Sequence, residues 1–364
     1  MLRLAVLLCL LLPATAFGAP RKVPQGWLGA VADGPMTAPG FPQGEWDRMA
    51  GSGAESVRTA FYWREIQPSG PADADFSRTD PVVLAAAQRG LEVLPVLQGT
   101  PAWAALNPGD VASPPRDPAD FARLLTALVT RYGPQGSFWG EHPQLSRRPI
   151  TDWQIWNEPN LTRYWNVAPW APSYVSLLKA AHAALKAADP KSRTILAGLP
   201  NESWLALREI YKQGGHGAFD VVALHPYTGH PANVVKLVRF ARKEMRPRGD
   251  SRVPVWVTEL SWPAAVGKTN TTAGFETTEK GQATRLASGL VLLARERRAL
   301  RIGRVYWYTW LSAEGSSSSS FDYSGLRRLR AGRIVTAPSL AVFTRVARRL
   351  EGCSKRPGDA VHCR

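Results

Sequence analysis

Short apolar runs rich in β-branched and aromatic residues alternate eight times with longer runs of helical periodicity along this chain. Uninterrupted apolar strands, each followed by a helix, predict a parallel sheet that is buried on both faces. Eight such units over about 330 residues favour a closed (β/α)8 barrel over an open sheet. The predicted strands are Trp27–Val31, Ser56–Tyr62, Leu91–Leu97, Asp152–Trp156, Thr194–Ala197, Phe219–Leu224, Val253–Thr258 and Gly303–Tyr308. The predicted helices are Pro81–Arg89, Pro118–Arg131, Pro172–Ala188, Trp204–Lys212, Ala232–Met245, Glu279–Ala299 and Ser339–Leu350.

One domain accounts for all of these units. A doubly wound sheet would need a glycine-rich phosphate loop after a strand, and the sequence contains neither a G-x-G-x-x-G nor a Walker pattern. We therefore predict a single α/β barrel domain over residues 17–350, with insertions at Gly133–Pro149 and at the serine-rich Gly315–Ser320. The second insertion follows the last predicted strand, so it belongs to the face on which such barrels carry their active sites.

The first residues have the three parts of a secretory signal. A basic start ending at Arg3 is followed by an apolar run from Leu4 to Leu12 and by the small residues Ala14-Thr15-Ala16. This pattern predicts a signal peptide over residues 1–16, cleaved after Ala16 or, as the alternative, after Gly18. The apolar run is too short for a membrane span, so no stable membrane anchor is expected. The chain is predicted to be secreted, either to the outside or to a periplasm.

Two of the three cysteines remain once the signal is removed. Cys353 and Cys363 lie ten residues apart near the end of the sequence, and in an exported chain they predict one disulfide that closes the tail 351–364. A metal site built on these two and His362 is the alternative, but it has no fourth ligand nearby. No metal site is expected.

Basic residues outnumber acidic ones by 45 to 29, which gives a formal net charge of +16. An arginine-rich surface indicates a partner with phosphate or carboxylate groups. The arginines, however, are spread over predicted helices and are not interleaved with aromatic residues in one patch. No nucleic-acid partner is therefore expected, and an acidic glycan remains an open alternative. The arginines concerned are Arg295, Arg297, Arg298, Arg301, Arg327, Arg328, Arg330, Arg345, Arg348 and Arg349.

Polar residues occur at the carboxyl ends of the predicted strands. Glu158 follows strand four and Glu259 follows strand seven, and both should face the barrel mouth, where active sites of this fold lie. Glycoside hydrolysis uses two carboxyl groups, one to protonate the leaving oxygen and one to attack or to activate water. The other strand-end groups are Arg58, Gln98, Asn157, His225, Tyr227 and Trp307.

The chain contains 14 tryptophans, and half of them occur at or just after predicted strand ends. Flat indole faces at a barrel mouth can stack on sugar rings, so these residues indicate a carbohydrate partner. Trp63 and Trp103 are predicted substrate contacts. The full set is Trp63, Trp103, Trp156, Trp165, Trp262, Trp307 and Trp310.

Two segments resemble a known group of enzymes. Trp156-Asn157-Glu158-Pro159-Asn160 resembles the strand-four signature of glycoside hydrolase clan A, and Val257-Thr258-Glu259-Leu260 resembles the clan's strand-seven segment. Within the clan, Gly99-Thr100-Pro101-Ala102-Trp103-Ala104 is similar to family 39 and its relatives. The resemblance spans about Trp27 to Leu350. It implies a (β/α)8 barrel that cleaves O-glycosidic bonds with retention of configuration and without a cofactor.

The resemblance also implies a role for each strand-end residue. Glu158 would be the general acid/base and Glu259 the nucleophile, with their carboxyl groups about 5–5.5 Å apart. Asn157 would bind the sugar 2-hydroxyl, and Trp307 would form the floor of the subsite for the sugar that becomes covalently attached. Supporting roles would fall to three further residues: Arg58 and Tyr227 beside the nucleophile, and His225 beside them. The implied substrate is a β-linked oligo- or polysaccharide, as for xylosidases and glucosidases.

Several alternatives stay open at this stage. The barrel could bind carbohydrate without turnover, or hydrolyse specifically glycans that contain uronic acids. Asn201-Glu202 is a second Asn-Glu pair after strand five, and Glu202 could instead be an acid at a helix N-terminus. His225 and His230 could suggest a metal, although hydrogen bonding to substrate or neighbours is the simpler interpretation. The sequence leaves the oligomeric state open.

Overall fold

The computed structural model describes residues 21–352 apart from residues 39, 73, 271 and 316–318. The predicted signal peptide and both tail cysteines, Cys353 and Cys363, lie outside the described residues. The strands are β1 Leu28–Val31, β2 Ser56–Tyr62, β3 Glu92–Gln98, β4 Asp152–Ile155, β5 Arg193–Ile195, β6 Leu199–Pro200, β7 Val222–His225, β8 Val255–Leu260, β9 Ile302–Trp307, β10 Leu311–Ala313, β11 Arg327–Arg330 and β12 Arg333–Thr336. The α-helices are α1 Gly44–Gly51, α2 Trp63–Ile66, α3 Asp80–Gln88, α4 Pro118–Tyr132, α5 Ser137–Glu141, α6 Trp170–Ala188, α7 Ser203–Lys212, α8 Pro231–Met245, α9 Glu279–Leu300 and α10 Pro338–Glu351.

Nine parallel strands form one curled sheet in the order β5-β4-β3-β2-β1-β9-β8-β7-β6. The two edge strands, β5 and β6, are successive pieces of the fifth barrel strand, because β5 pairs with β4 and β6 pairs with β7. A parallel bridge between Ile195, at the end of β5, and Val221, just before β7, joins the two edges of the sheet. The sheet is thereby closed, and the predicted (β/α)8 barrel is confirmed.

Side chains inside the barrel form a cluster separate from the main core. This interior cluster consists of Val31, Leu94, Ile195, Val221, Ala223, Trp256 and Tyr306. The larger outer core lies between sheet and helices. At the amino-terminal end, the guanidinium groups of Arg193 and Arg304 lie 5.1 Å and 4.8 Å from the Trp256 ring centroid. The barrel interior is therefore filled with side chains toward its base, as expected for this fold.

Several local predictions are confirmed in detail. Strand β2 has the predicted bounds, and the Asp117 side chain caps α4 by accepting a hydrogen bond from the Ala119 backbone NH. Gly90, predicted to end α3, has a φ of 71° in the left-handed region that glycine adopts most easily. The insertion Gly133–Pro149 contains the short helix α5. No helix among the described residues has both the length and the apolar character that a membrane span requires.

The placement of Arg327, Arg328 and Arg330 on a helix was wrong. They form strand β11 of a small sheet with β10 and β12, which follows the eighth barrel strand. The side chains of Arg327 and Arg328 are buried because they pair with carboxylates; Arg327 pairs with Glu45 on α1 at 2.8 Å. The carboxylate partners of these arginines are distant in sequence, so the sequence alone does not indicate that the arginines are buried.

Candidate active site

Glu158 is presented to the barrel mouth by an irregular turn after β4. Trp156 has φ 72° and Glu158 has φ 45°, both in the left-handed region that residues with side chains seldom adopt. Between them, Asn157 forms a parallel bridge with Gly198. Such conformations persist only when surrounding contacts hold them, and they cluster at functional sites. The turn brings two successive polar side chains, Asn157 and Glu158, to the same end of the barrel.

Glu259 is brought to the mouth by a bulge in β8. Val257 pairs with Val305 and Leu260 pairs with Trp307, so three steps on β8 match two on β9. Val257 and Leu260 both pack in the outer core, which a strict two-residue alternation would not allow. Because of the extra residue, the direction of the Glu259 side chain is no longer set by the regular alternation along the strand. Bulges commonly re-aim a side chain in this way beside active sites.

Two groups hold the Glu259 carboxylate. Arg58 Nη1 donates to Oε1 at 2.8 Å, and the Tyr227 hydroxyl donates to Oε2 at 2.7 Å. Arg58 is only 2% exposed and also donates to Gln154 Oε1 and to Asn157 Oδ1, each at 2.8 Å. The hydrogen bonds to Gln154, Asn157 and Glu259 together fix the orientation of the Arg58 guanidinium, and so the geometry of its ion pair with Glu259. The predicted positions of Arg58 and Tyr227 beside Glu259 are what the structure shows.

Glu158 has a different set of partners. Its Oε1 lies 2.7 Å from His225 Nδ1, and its Oε2 lies 3.0 Å from Arg163 Nη2. Burial raises the pKa of the Glu158 carboxyl above its ordinary value, and the charges of Arg163 and Arg58 lower it in part. The two carboxyl groups thus have distinct environments, which is how one site separates an acid from a nucleophile. Burial is the largest cause of this raised pKa.

The two carboxyl groups and His225 lie close together. One oxygen of Glu158, one oxygen of Glu259 and one ring nitrogen of His225 all lie within 4.8 Å of one another. The same three groups could serve as ligands for a cation. Two guanidinium groups, those of Arg58 and Arg163, already place positive charge against the two carboxylates. His230, the other candidate histidine, is exposed at the start of α8 and belongs to no such group.

His225 is a neutral ring in a close-fitting position. It is fully buried, and burial lowers its pKa to about 3, so the ring is uncharged at neutral pH. Its Nε2 has no hydrogen-bond partner in the described part of the chain. A Cβ built on Gly198 would lie 1.9 Å from that nitrogen. Gly198 is therefore the residue that makes room for the ring beside Glu158.

Replacing Gly198 with alanine should displace His225 and, through it, the Glu158 carboxyl. We expect kcat/KM to fall by about 10²-fold, the cost of a misplacement of about 1 Å, with about 1–3 kcal/mol lost from the free energy of unfolding. Steady-state kinetics and urea denaturation measure the two quantities. Gly140→Ala is the matched control because a Cβ there meets nothing within 4 Å. Full activity in Gly198→Ala would contradict the positioning role of His225.

The carboxyl pair opens into a cavity of about 700 Å³. One wall is aromatic: the ring of Tyr227 stacks on Phe275 at 5.1 Å, and Phe321 contacts Tyr227 and Tyr308 edge-on at 5.1 Å and 5.4 Å. Arg163, Tyr164 and Asn201 contribute polar groups, and Asp322 adds a carboxylate. A cavity of this size with aromatic and polar walls is in the range of small-molecule binding sites.

The tryptophans do not line this cavity. Trp63, Trp156, Trp165, Trp262, Trp307 and Trp310 are all 0–1% exposed and belong to the outer core. Trp103 is partly buried, packs edge-on against Trp63 and donates its indole NH to the Gln67 carbonyl. The expectation of a stacking surface was therefore wrong for the buried six, because large aromatic side chains fill the layer between sheet and helices.

Tyr308 occupies the position expected for Trp307. Side chains alternate along β9, so Tyr306 faces the barrel interior, Trp307 faces the helices, and Tyr308 faces the mouth. Tyr308 lines the cavity together with both carboxylates, whereas Trp307 donates its indole NH to the Ser324 carbonyl at 3.2 Å. The alternation of buried side chains along the strand is the signal that could have identified Tyr308 in advance.

Other cavity residues come from loops that carry no periodic signal. Arg163, Phe275 and Phe321 were not identified in the sequence as site residues. Asp33, after β1, lines a separate pocket; it accepts a hydrogen bond from the Ala60 NH, and burial raises its pKa. Glu202 lies exposed at the N-terminus of α7, while its neighbour Asn201 lines the cavity.

Comparison with known proteins places this fold among glycoside hydrolase barrels. No protein-family model matches the chain, and no curated protein matches it in sequence. Among solved structures, a family 39 glycoside hydrolase from Bacteroides cellulosilyticus WH2 superposes with a TM-score of 0.68 at 18% identity, over 90% of this chain and 64% of its own. A monomeric β-xylosidase from Caulobacter crescentus CB15 gives 0.65 at 18% identity, over 90% and 69%.

An exo-β-1,4-mannosidase from Opitutaceae bacterium strain TAV5 gives a TM-score of 0.62 at 17% identity, over 92% of this chain and 60% of its own. The chain thus spans less than two thirds of the first of these structures and of the mannosidase. At these identities the likeness establishes a shared (β/α)8 fold.

Proposed function

We propose that this protein is a retaining glycoside hydrolase that acts through a covalent glycosyl-enzyme. The observation that carries the proposal is the pair of buried carboxyl groups, Glu158 and Glu259, with oxygens within 4.8 Å at the barrel mouth. Retaining enzymes hold their carboxyl groups about 5–5.5 Å apart, whereas inverting enzymes need about 6.5–9.5 Å to admit a water molecule. The 4.8 Å joins only the nearest oxygens, so the carboxyl groups as a whole lie further apart; oxygens this close favour the shorter, retaining spacing and direct attack by one carboxylate. The structural neighbours, which include a xylosidase and a mannosidase by name, support the same class.

In the first step Glu259 attacks the anomeric carbon while the bond to the leaving oxygen breaks. Glu158 transfers its proton to that oxygen, so the leaving group departs as a neutral alcohol and Glu158 becomes a carboxylate. Arg58 and Tyr227 fix the two oxygens of Glu259 and so aim the nucleophile. The raised pKa of Glu158 keeps its proton available at a pH where an exposed glutamate would have lost it.

In the second step the roles reverse. The Glu158 carboxylate takes a proton from water, the water oxygen attacks the anomeric carbon, and the bond to Glu259 breaks. Two inversions give net retention of configuration. Asn157 Oδ1 accepts a hydrogen bond from Arg58, which leaves the amide NH2 group to donate to the sugar 2-hydroxyl.

The proposed substrate is a β-linked oligo- or polysaccharide. The cavity supports a carbohydrate because the rings of Tyr227, Phe275 and Tyr308 provide apolar surface and the Asn201 amide provides hydrogen bonds. The β linkage is proposed from the structural neighbours that are named as a β-xylosidase and an exo-β-1,4-mannosidase. We further propose that the protein is exported through its signal-like residues 1–16 and that Cys353 and Cys363 form a disulfide. Both proposals depend on the sequence pattern.

The reaction class is tested by the stereochemistry of the product. The protein is incubated with aryl β-glycosides of xylose, glucose, galactose and mannose, and proton NMR records the first sugar anomer released. The proposal predicts the β anomer, which later equilibrates with the α anomer. Initial release of the α anomer would show inversion and would overturn the covalent mechanism. Binding of sugars without turnover of any glycoside would favour a non-catalytic barrel.

The pH profile should report Glu158. Because kcat/KM requires the protonated acid, it should fall as the pH rises through the raised pKa of this carboxyl. Arg163 lowers that pKa, so Arg163→Gln should move the alkaline limb to higher pH on a neutral aryl glycoside. Arg239→Gln removes the same charge from an exposed helix position and should leave the limb unchanged. A limb that moves to lower pH in Arg163→Gln would contradict the assignment of the acid.

A further inference from the structure

Arg163 lies against the proposed acid but extends into the cavity. It follows β4 on the loop that begins at Glu158, and 62% of its side chain is exposed. Its guanidinium carbon lies 4.9 Å from the Tyr164 ring centroid, and its Nη2 lies 3.0 Å from Glu158 Oε2. Among the residues that the structure describes, Glu158 is the carboxylate with which Arg163 forms an ion pair.

This ion pair conflicts with the chemistry of the first step. Glu158 must be protonated to act as an acid, and a protonated carboxyl cannot form an ion pair with a guanidinium. The buried His225 ring holds Oε1, so we assign the catalytic proton and the leaving-group side to Oε2, the oxygen beside Arg163. Arg163 therefore lies next to the space into which the leaving group must extend, and it loses its counter-charge when Glu158 takes up a proton.

Besides Glu158 and Arg163, the charged residues of the cavity lining are Glu259 and Asp322. Arg58 and Glu259 neutralise each other in a buried pair. Asp322 is the other carboxylate of the lining, and it lies on a separate loop, next to the aromatic residue Phe321. A guanidinium forms its strongest contacts with a carboxylate, through two parallel N–H···O bonds. A carboxylate on the leaving part of the substrate would meet this requirement.

We propose that Arg163 binds a carboxylate on the leaving-group side of the scissile bond, so that the preferred substrate carries a uronic acid there. This inference rests on the proposed glycosidase function. Transfer of Arg163 from Glu158 to the substrate frees Oε2 to hold its proton. Binding of the acidic substrate therefore prepares the general acid, and a neutral substrate lacks this effect. The excess of basic over acidic residues also favours the approach of a polyanionic glycan.

The test compares two nearly isosteric leaving groups. Glycosides of 3- and 4-carboxyphenol are assayed beside the corresponding carbamoylphenyl glycosides, using the sugars of the anomer experiment. The carbamoyl group withdraws electrons more strongly than a carboxylate, so leaving-group ability alone favours the amide. We expect wild-type kcat/KM to be about 10- to 100-fold higher for the carboxylate, the size of a charged hydrogen bond. Arg163→Gln should abolish this preference, and Arg163→Lys should keep part of it.

A control variant separates this contact from general charge. Arg239→Gln, at a similarly exposed position on α8, should keep the preference. Equal wild-type rates on both leaving groups would overturn the proposal. A preference that survives in Arg163→Gln would also overturn it.

A binding measurement distinguishes failure of this inference from failure of the proposed function. In Glu158→Gln, Arg163 has no carboxylate partner, so calorimetry should show at least 10-fold tighter binding of the carboxyphenyl than of the carbamoylphenyl glycosides. The double variant Glu158→Gln/Arg163→Gln should bind the carboxyphenyl and carbamoylphenyl glycosides with equal affinity. Hydrolysis without this difference in affinity would refute the anion site alone. The difference in affinity without hydrolysis by wild type would refute the catalytic proposal alone.

Discussion

Replacing Glu259 with glutamine should abolish turnover while the protein stays folded. Glutamine keeps the shape and one acceptor oxygen for Arg58 or Tyr227, but its amide cannot attack an anomeric carbon. Loss of a covalent nucleophile from a hydrolase lowers kcat by about 10⁶-fold, and we expect a loss of this order on every glycoside that wild type cleaves. Steady-state kinetics with an aryl glycoside measure it, and circular dichroism verifies the fold.

Glu202→Gln is the matched control for this substitution. Glu202 belongs to the second Asn-Glu pair and lies exposed at the start of α7, so its loss should leave kcat within about twofold, as is usual for surface positions. A large effect of Glu202→Gln together with a small effect of Glu259→Gln would transfer the nucleophile to strand five. That outcome would overturn the assignment of the site.

Replacing Glu158 with alanine should have an effect that depends on the leaving group. General acid catalysis contributes about 10²- to 10⁴-fold, so ordinary alkyl and sugar leaving groups should slow by this amount. A 2,4-dinitrophenyl leaving group departs without a proton, so its glycosylation step should slow by much less. Because the substitution also removes the base of the second step, the glycosyl-enzyme should accumulate and give a burst of phenol.

Azide provides a direct readout of the space left by the Glu158 side chain. A small anion that needs no general base should enter the cavity beside Arg163, attack the glycosyl-enzyme and restore turnover as a β-glycosyl azide. Wild type should not respond to azide. Equal slowing on dinitrophenyl and alkyl glycosides, with no rescue, would argue that Glu158 supports the fold or substrate binding and is not the acid.

The barrel could be predicted because its strands are apolar on both faces. Strand β2, Ser56–Tyr62, has the predicted bounds; β3 pairs with it along its whole length, and β1 pairs with Ser56–Arg58. The fifth strand was harder, because it is divided into Arg193–Ile195 and Leu199–Pro200 with an irregular link. Its continuity is set by the bridge to Val221, which depends on closure of the whole barrel.

The two carboxyl groups were identifiable because acids at the ends of buried strands are rare without a function. Their partners His225 and Tyr227 also lie at or just after a strand end, whereas Arg58, predicted at a strand end, is the third residue of β2. The expected role of Trp307 was wrong, because placing it at the strand end and by the resemblance ignored the alternation that turns Tyr308 toward the mouth. Arg163, Phe275 and Phe321 come from loops, whose paths are set by contacts between distant residues and carry no periodic signal.

The central claim, that Glu259 is a nucleophile in a retaining mechanism, is tested most directly by trapping the intermediate. The protein is incubated with activated 2-deoxy-2-fluoro glycosides of xylose, glucose, galactose and mannose, and the labelled peptide is sequenced by mass spectrometry. Our account predicts a single sugar label on Glu259, formed as activity is lost, and no label on Glu202. A label on Glu202, or hydrolysis of these compounds without any label on Glu259, would contradict it.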